Sequence, residues 1–306
     1  MFDVRPGRGR PYVFSHRGAM MEAPENTIPG FLAAEAMGAD GVELDVHLSR
    51  DGVAVVTHDP WIYPGRRQVV VGQGGVQSSV RLPYDVLARG GLTVALDLGT
   101  QGGEIRIAHV QSEVAAILVG ETAWEDLRRI PQGYDAEGRP IFMPRLEEVL
   151  EAIRPETGVD IELKQAPGAF ANFAYEGIAE AVAAIVRHYH REDSVLVSSF
   201  DHRLLRRLAL HAPELSLLAN YSGRLVDPEA IARTIPTRFV SIDDVTEAEI
   251  AEYHAAELTV ITSGHWTVED FLNNVRWGVD GVVIDDPRFL ATLDGPGAAA
   301  QAQVAR

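Results

Sequence analysis

Eight short apolar runs recur along the chain at 12–15, 41–46, 159–163, 194–198, 215–219, 238–242, 258–262 and 281–284. Each is four to six residues long and rich in β-branched, aliphatic or aromatic residues, the signature of strands rather than helices. Between the later runs, apolar residues return at three- and four-residue spacing. Ile178, Ala181, Val182, Ile185 and Val186 do so within a helix expected over 170–190, and Leu204, Leu205 and Leu208 form a second such set. Eight strands separated by helical segments are what a closed parallel (β/α)8 barrel requires.

Two of the eight runs invert the usual pattern of polar outside and apolar inside. In Gly-Val-Glu-Leu-Asp-Val (41–46), Glu43 and Asp45 share one face, and Val42, Leu44 and Val46 share the other, because side chains alternate with period two. In Gly-Val-Asp-Ile-Glu-Leu-Lys (158–164), Asp160, Glu162 and Lys164 share a face in the same way. Grouped carboxylates repel one another and lose hydration, so an inward acidic face is costly without a counter-charge. A hard divalent cation such as Mg²⁺ or Ca²⁺, which takes oxygen ligands, removes both objections.

Chemistry-bearing residues gather around the first of these runs. His16 and Arg17 stand just past the carboxyl end of the first strand, and Gly18 lets the backbone turn. Asn26 or Thr27 can cap a helix carrying Ile28, Phe31, Leu32 and Ala36, which Gly38 ends. Ser49-Arg50-Asp51-Gly52 reads as a tight turn into Val53–Thr57, a hairpin that returns His58 and Asp59 toward the same end.

His-Arg-Gly (16–18), Glu25-Asn26-Thr27, Gly-Val-Glu-Leu-Asp-Val (41–46), Asp51-Gly52 and His58-Asp59 together resemble the signature of glycerophosphodiester phosphodiesterases. Met143-Pro-Arg-Leu-Glu-Glu-Val-Leu, Glu162-Leu-Lys164, Ser199-Phe-Asp and the closing Gly278-Val-Asp-Gly with Asp285-Asp286-Pro287 are similar to later family motifs. The resemblance implies a (β/α)8 TIM barrel that hydrolyses glycerophosphodiesters to an alcohol and glycerol 3-phosphate. It implies His16 and His58 as acid and base, Glu43, Asp45 and Glu162 as ligands of Mg²⁺ or Ca²⁺, and Arg17 and Lys164 as phosphate contacts. Two rival readings are a phospholipase D-like barrel acting on phospholipid head groups and a catalytically silent barrel that binds glycerophosphodiesters. The family's seventh strand usually ends in Trp-Thr-Val-Asn. Here Thr267 followed by Asp270 reads better as a helix start, with 261–264 at the strand end.

Composition narrows the partners. With 27 basic against 44 acidic residues the net charge is −17, which argues against nucleic acid and anionic membrane surfaces. A phosphate-bearing small molecule must then be drawn in by local positive charge. The absence of cysteine excludes disulfides, thiolate metal sites and cysteine nucleophiles. No run of about 18 apolar residues suggests a membrane span, and cytoplasmic residence is the expectation. The chain is expected to be one barrel domain over 1–294, with a flexible tail over 295–306. Glycine pairs and short β-like runs mark a β-rich insertion over 60–143, after the hairpin, expected to narrow the barrel mouth and select substrate.

Overall fold

The computed structural model describes residues 2–4, 10–62, 93–95, 106–108, 117–167, 173–225, 227–243, 245–265 and 267–293. Eight parallel strands form the ring: β1 (Tyr12–His16), β2 (Gly41–Leu48), β3 (Gly158–Leu163) and β4 (Val195–Ser199), then β5 (Ser216–Tyr221), β6 (Phe239–Ile242), β7 (Thr259–His265) and β8 (Gly281–Ile284). Each pairs with the next in chain order, and β8 returns to β1 through Tyr12↔Gly281 to Ser15↔Ile284. The barrel is therefore closed, and every expected strand is present with small shifts at its ends.

Seven helices cover the described part of the ring: α1 (Ile28–Ala36), α2 (Leu146–Ala152), α3 (Ile178–His188), α4 (His202–His211), α5 (Pro228–Thr234), α6 (Glu247–Ala255) and α7 (Val268–Trp277). The outward residues Val42, Leu44 and Val46 of β2 and Val159, Ile161 and Leu163 of β3 pack with Phe31, Leu146, Val149 and Val182 from α1, α2 and α3. Across the barrel, Val13, Val240, Val260 and Val282 pack with Ile250, Tyr253 and Phe271 of α6 and α7. Each fully buried aliphatic side chain contributes about 1.5–3 kcal/mol, so this double-faced burial holds the strands in place.

Three local expectations need correction. Leu32 is 42% exposed, and α1 buries Phe31 and Ala34 instead. Thr27 occupies the position preceding α1, but its hydroxyl donates to the Pro24 carbonyl rather than capping the helix. The helix expected over 170–190 starts only at Ile178, after Gly177 at φ 81°, with Gln165–Ala166 and Phe173–Ala174 paired antiparallel before it. Near the seventh strand the expected register is found: the Thr267 hydroxyl accepts from Asp270 N at the start of α7. Trp266 lies outside the described residues.

The inner face of the barrel is layered. At its amino-terminal end Phe2, Tyr12, Phe14, Leu196, Leu218, Phe239, Ile261 and Val283 form one buried cluster. Phe2, Tyr12 and Phe14 meet with ring centroids 4.8–5.9 Å apart. The strands opposite must yield space to these rings, and both β2 and β3 begin with glycine. A Cβ on Gly41 would lie 2.8 Å from the Phe14 ring and from the Gly158 carbonyl oxygen.

The hairpin also forms as expected. Ala54–Val56 runs antiparallel to the end of β2, and its turn is closed by Ser49 N donating to the Val53 carbonyl (2.9 Å). By internal packing the chain divides into two units, residues 1–60 with 119–306, and residues 61–118. Within the smaller unit, Trp61–Ile62 pairs with Ile117–Leu118 and Thr93–Ala95 with Arg106–Ala108, both antiparallel. Most of the expected insertion, including its 68–71 run, and the tail over 295–306 lie outside the described residues. Among the described residues no helix is long and apolar enough to cross a membrane. Gly41→Ala is expected to destabilise the fold by about 1–3 kcal/mol, the usual cost of overpacking, as a lower midpoint in urea denaturation.

Candidate active site

The carboxylates converge because β2 and β3 are in register. Glu43 stands beside Asp160 and Asp45 beside Glu162, and all four belong to the inward set. One oxygen each of Glu43, Asp45 and Glu162 lie within 4.8 Å of one another. Burial, reinforced by the charges of Asp45, Glu162 and Asp160 and opposed by Arg17, pushes Glu43 well above the usual carboxylate range. Asp160, beneath the trio, is pushed up to about 7, first by burial and then by Glu162 and Asp45. Asp45 goes the other way: burial would raise it, but Lys164, Arg17 and His58 together hold it well below its ordinary value.

Two cations face these acids. Lys164 Nζ lies 2.8 Å from Asp45 Oδ1 and 2.6 Å from Glu162 Oε1. Arg17 Nε lies 3.3 Å from Asp45 Oδ2, and its Nη1 donates to Glu25 Oε2 at 3.2 Å. Burial disfavours both charged forms, yet the neighbouring carboxylates outweigh it and raise both pKa values. Arg17 adopts φ 56°, which turns its backbone N–H onto Glu43 Oε2 at 3.0 Å. Burial opposes ionisation of Glu43 and Asp160, a cost that a cation held between the oxygens of the trio would relieve, and an all-oxygen trio suits a hard ion such as Mg²⁺ or Ca²⁺.

Each histidine is oriented through the same nitrogen. His16 Nδ1 is 2.5 Å from Asp285 Oδ1, and its Nε2 is 3.9 Å from Glu43 Oε2. His58 Nδ1 is 2.8 Å from Asp59 Oδ1. An ionised carboxylate only accepts, so each Nδ1 carries the proton of its bond, which fixes the tautomer of each ring. The loop bearing His58 is anchored to β2 by Thr57 N donating to the Asp45 carbonyl at 3.0 Å.

All seven expected residues, His16, Arg17, Glu43, Asp45, His58, Glu162 and Lys164, therefore gather at the carboxyl ends of β1 to β3. Four others were missed. Asn26, at φ 57°, donates from Nδ2 to Asp45 Oδ2 (2.8 Å) and accepts from Asp45 N (3.2 Å), so it holds a carboxylate rather than capping a helix. Asp285 directly follows β8, a position where barrel enzymes place functional side chains, and that signal was available. Asp160 shares the inner face with Glu162 by its spacing, and the spacing alone shows no role for it. Tyr175, whose hydroxyl lies 2.8 Å from His47 Nδ1, carries no signal in the sequence. Burial pushes His47 itself down to about 4.

A model of the glycerophosphoryl diester phosphodiesterase family matches residues 16–288, and the chain belongs to that family. A glycerophosphodiester phosphodiesterase of Caldanaerobacter subterraneus subsp. tengcongensis is 29% identical over 291 residues, covering 92% of this chain and 96% of that protein. Among solved structures, a glycerophosphodiester phosphodiesterase from Agrobacterium tumefaciens superposes with a TM-score of 0.64 at 23% identity, covering 92% and 99% of the two chains. A phosphodiesterase from Oleispira antarctica, solved with its product sn-glycerol-3-phosphate, gives 0.68 at 22% identity over 94% and 98%.

The Asp160 shift has a defined sign. Its raised pKa means the folded state holds a proton that the unfolded state releases, so its contribution to stability falls as pH rises from about 4 to 7. In chelator-treated protein, Asp160→Asn is therefore expected to gain stability relative to the parent between pH 5 and pH 8, by on the order of 2 kcal/mol. Urea titrations at the two pH values check this, and adding Mg²⁺ or Ca²⁺ should narrow the difference.

Proposed function

We propose that the protein hydrolyses glycerophosphodiesters to an alcohol and glycerol 3-phosphate, with His16 and His58 as the acid–base pair and a divalent ion held by Glu43, Asp45 and Glu162. The observation that carries the reading is the carboxylate trio, Glu43 and Asp45 buried and Glu162 half-buried, its oxygens within 4.8 Å, flanked by His16 and Arg17. The family membership supports the choice of substrate class.

The ion, when bound, would supply Lewis-acid stabilisation for the charge that a phosphodiester gains at its transition state. The remaining work falls to the chain. A Lys ammonium has three protons, of which Asp45 and Glu162 take two, and the third is left for a phosphoryl oxygen. Arg17, fixed by Glu25 and Asp45, presents the rest of its guanidinium beside it. No cysteine exists in the chain, and the substrate's own glycerol 2-hydroxyl is the favoured nucleophile, ahead of direct attack by water. One histidine takes that hydroxyl proton while the other protonates the leaving alcohol oxygen, giving a cyclic phosphate. In the second step the two exchange roles, one deprotonating water and the other protonating the 2-oxygen as the ring opens.

Exhaustive chelation is expected to abolish hydrolysis of glycerophosphocholine, and Mg²⁺ or Ca²⁺ to restore it; full activity in the chelated enzyme would overturn the metal assignment. His16→Ala and His58→Ala should each lower kcat by ~10²–10⁴ with the melting temperature nearly unchanged. Near-normal turnover in either variant would remove that histidine from the reaction.

A further inference from the structure

We infer that His47 and Tyr175 form a positioning relay that fixes the backbone of the His58 loop, an inference that rests on the role proposed for His58. His47 is the third inward side chain of β2, two residues beyond Asp45, and it is buried. Its Nε2 lies 3.0 Å from the His58 carbonyl oxygen. A carbonyl only accepts, so Nε2 carries the proton and Nδ1 keeps a lone pair. The Tyr175 hydroxyl, 2.8 Å from Nδ1, is then the donor. The two rings meet edge to face at 89° with centroids 5.5 Å apart.

Both ring nitrogens of His47 are thus committed, which removes it from consideration as a metal ligand or a base. What remains is mechanical. The bond His58 Nδ1 donates to Asp59 sets the orientation of the His58 ring, and Thr57 N on the Asp45 carbonyl holds the backbone one residue before it. The His47 bond reaches the backbone of His58 directly, and it comes from a strand rather than from the loop itself. Tyr175 is seated in turn against Gly120, where a Cβ would lie 2.9 Å from Tyr175 Cε1. The line Gly120, Tyr175, His47, His58 ties the loop to three separate stretches of chain.

The relay matters because a misplacement of about 1 Å can cost ~10²-fold in rate. His47→Leu removes both bonds. His47→Gln can keep them, donating from Nε2 to the His58 carbonyl and accepting at Oε1 from Tyr175. Tyr175→Phe removes only the distal one. With glycerophosphocholine as substrate, His47→Leu is expected to lower kcat by ~10-fold or more while KM changes little, and His47→Gln to recover most of the loss. Tyr175→Phe should fall between, with an unchanged melting temperature.

A double-mutant cycle separates positioning from general damage. In a His58→Ala background neither His47→Leu nor Tyr175→Phe should lower kcat further. A full additive loss in that background, or wild-type kcat in His47→Leu, would overturn the inference. Should His47→Leu fail to fold, Tyr175→Phe carries the same cycle. If the parent enzyme hydrolyses no glycerophosphodiester, the functional reading fails but the relay is still read by nitrogen-15 NMR of the histidine rings. The His58 ring signals should move in Tyr175→Phe, and unmoved signals would overturn the relay.

Discussion

Negative charge held out of water is the constraint around which the barrel is arranged. Glu43, Asp45, Asp160 and Glu162 occupy neighbouring places on two registered strands, where repulsion and lost hydration both oppose folding. The chain answers with groups drawn from elsewhere: Lys164 one step past β3, Arg17 one step past β1, and the amide of Asn26. The loop between β1 and α1 bends through two non-glycine residues in the left-handed region to deliver Arg17 and Asn26. Such conformations cost about 1 kcal/mol or more each and persist where the surroundings fix them, here by bonds to Glu43 and Asp45.

A scaffold must be stiff to hold such a site, and the two faces of each strand divide the labour. The outer face is almost entirely aliphatic and locks against the helices, while the inner face changes character along its length. Aromatic rings fill the amino-terminal end, with glycines at the start of β2 and β3 making room. Polar groups fill the other end, so a strand of six residues supports both a core and a chemical surface.

This division also explains what the sequence made legible. The eight strands stood out because their outward faces are continuous in apolar character, and Glu43, Asp45 and Glu162 stood out because they break the inward rule. His16, His58, Arg17 and Lys164 followed from their places at strand ends and from the family resemblance. Asn26 was misread because its local context, followed by Thr and an apolar helix, is that of a cap, whereas its partner Asp45 is nineteen residues away. Leu32 was misread because helical spacing cannot tell which side of a short helix meets the barrel. Tyr175 and its bond to His47 depend on a loop returning across the barrel end, and no local pattern encodes that.

The bond between His16 and Asp285 joins residues 269 positions apart, on the first strand and just after the last. The carboxylate trio, by contrast, comes entirely from β2 and β3. A chain still emerging, or one that has formed only its first half, has all the residues of the acidic site in hand but lacks Asp285, the partner of His16 Nδ1. Non-local closure is the slow part of folding such a topology. The step that seals the ring of strands is thus also the step that orients one of the two histidines, and an unclosed barrel lacks the means to set the His16 tautomer.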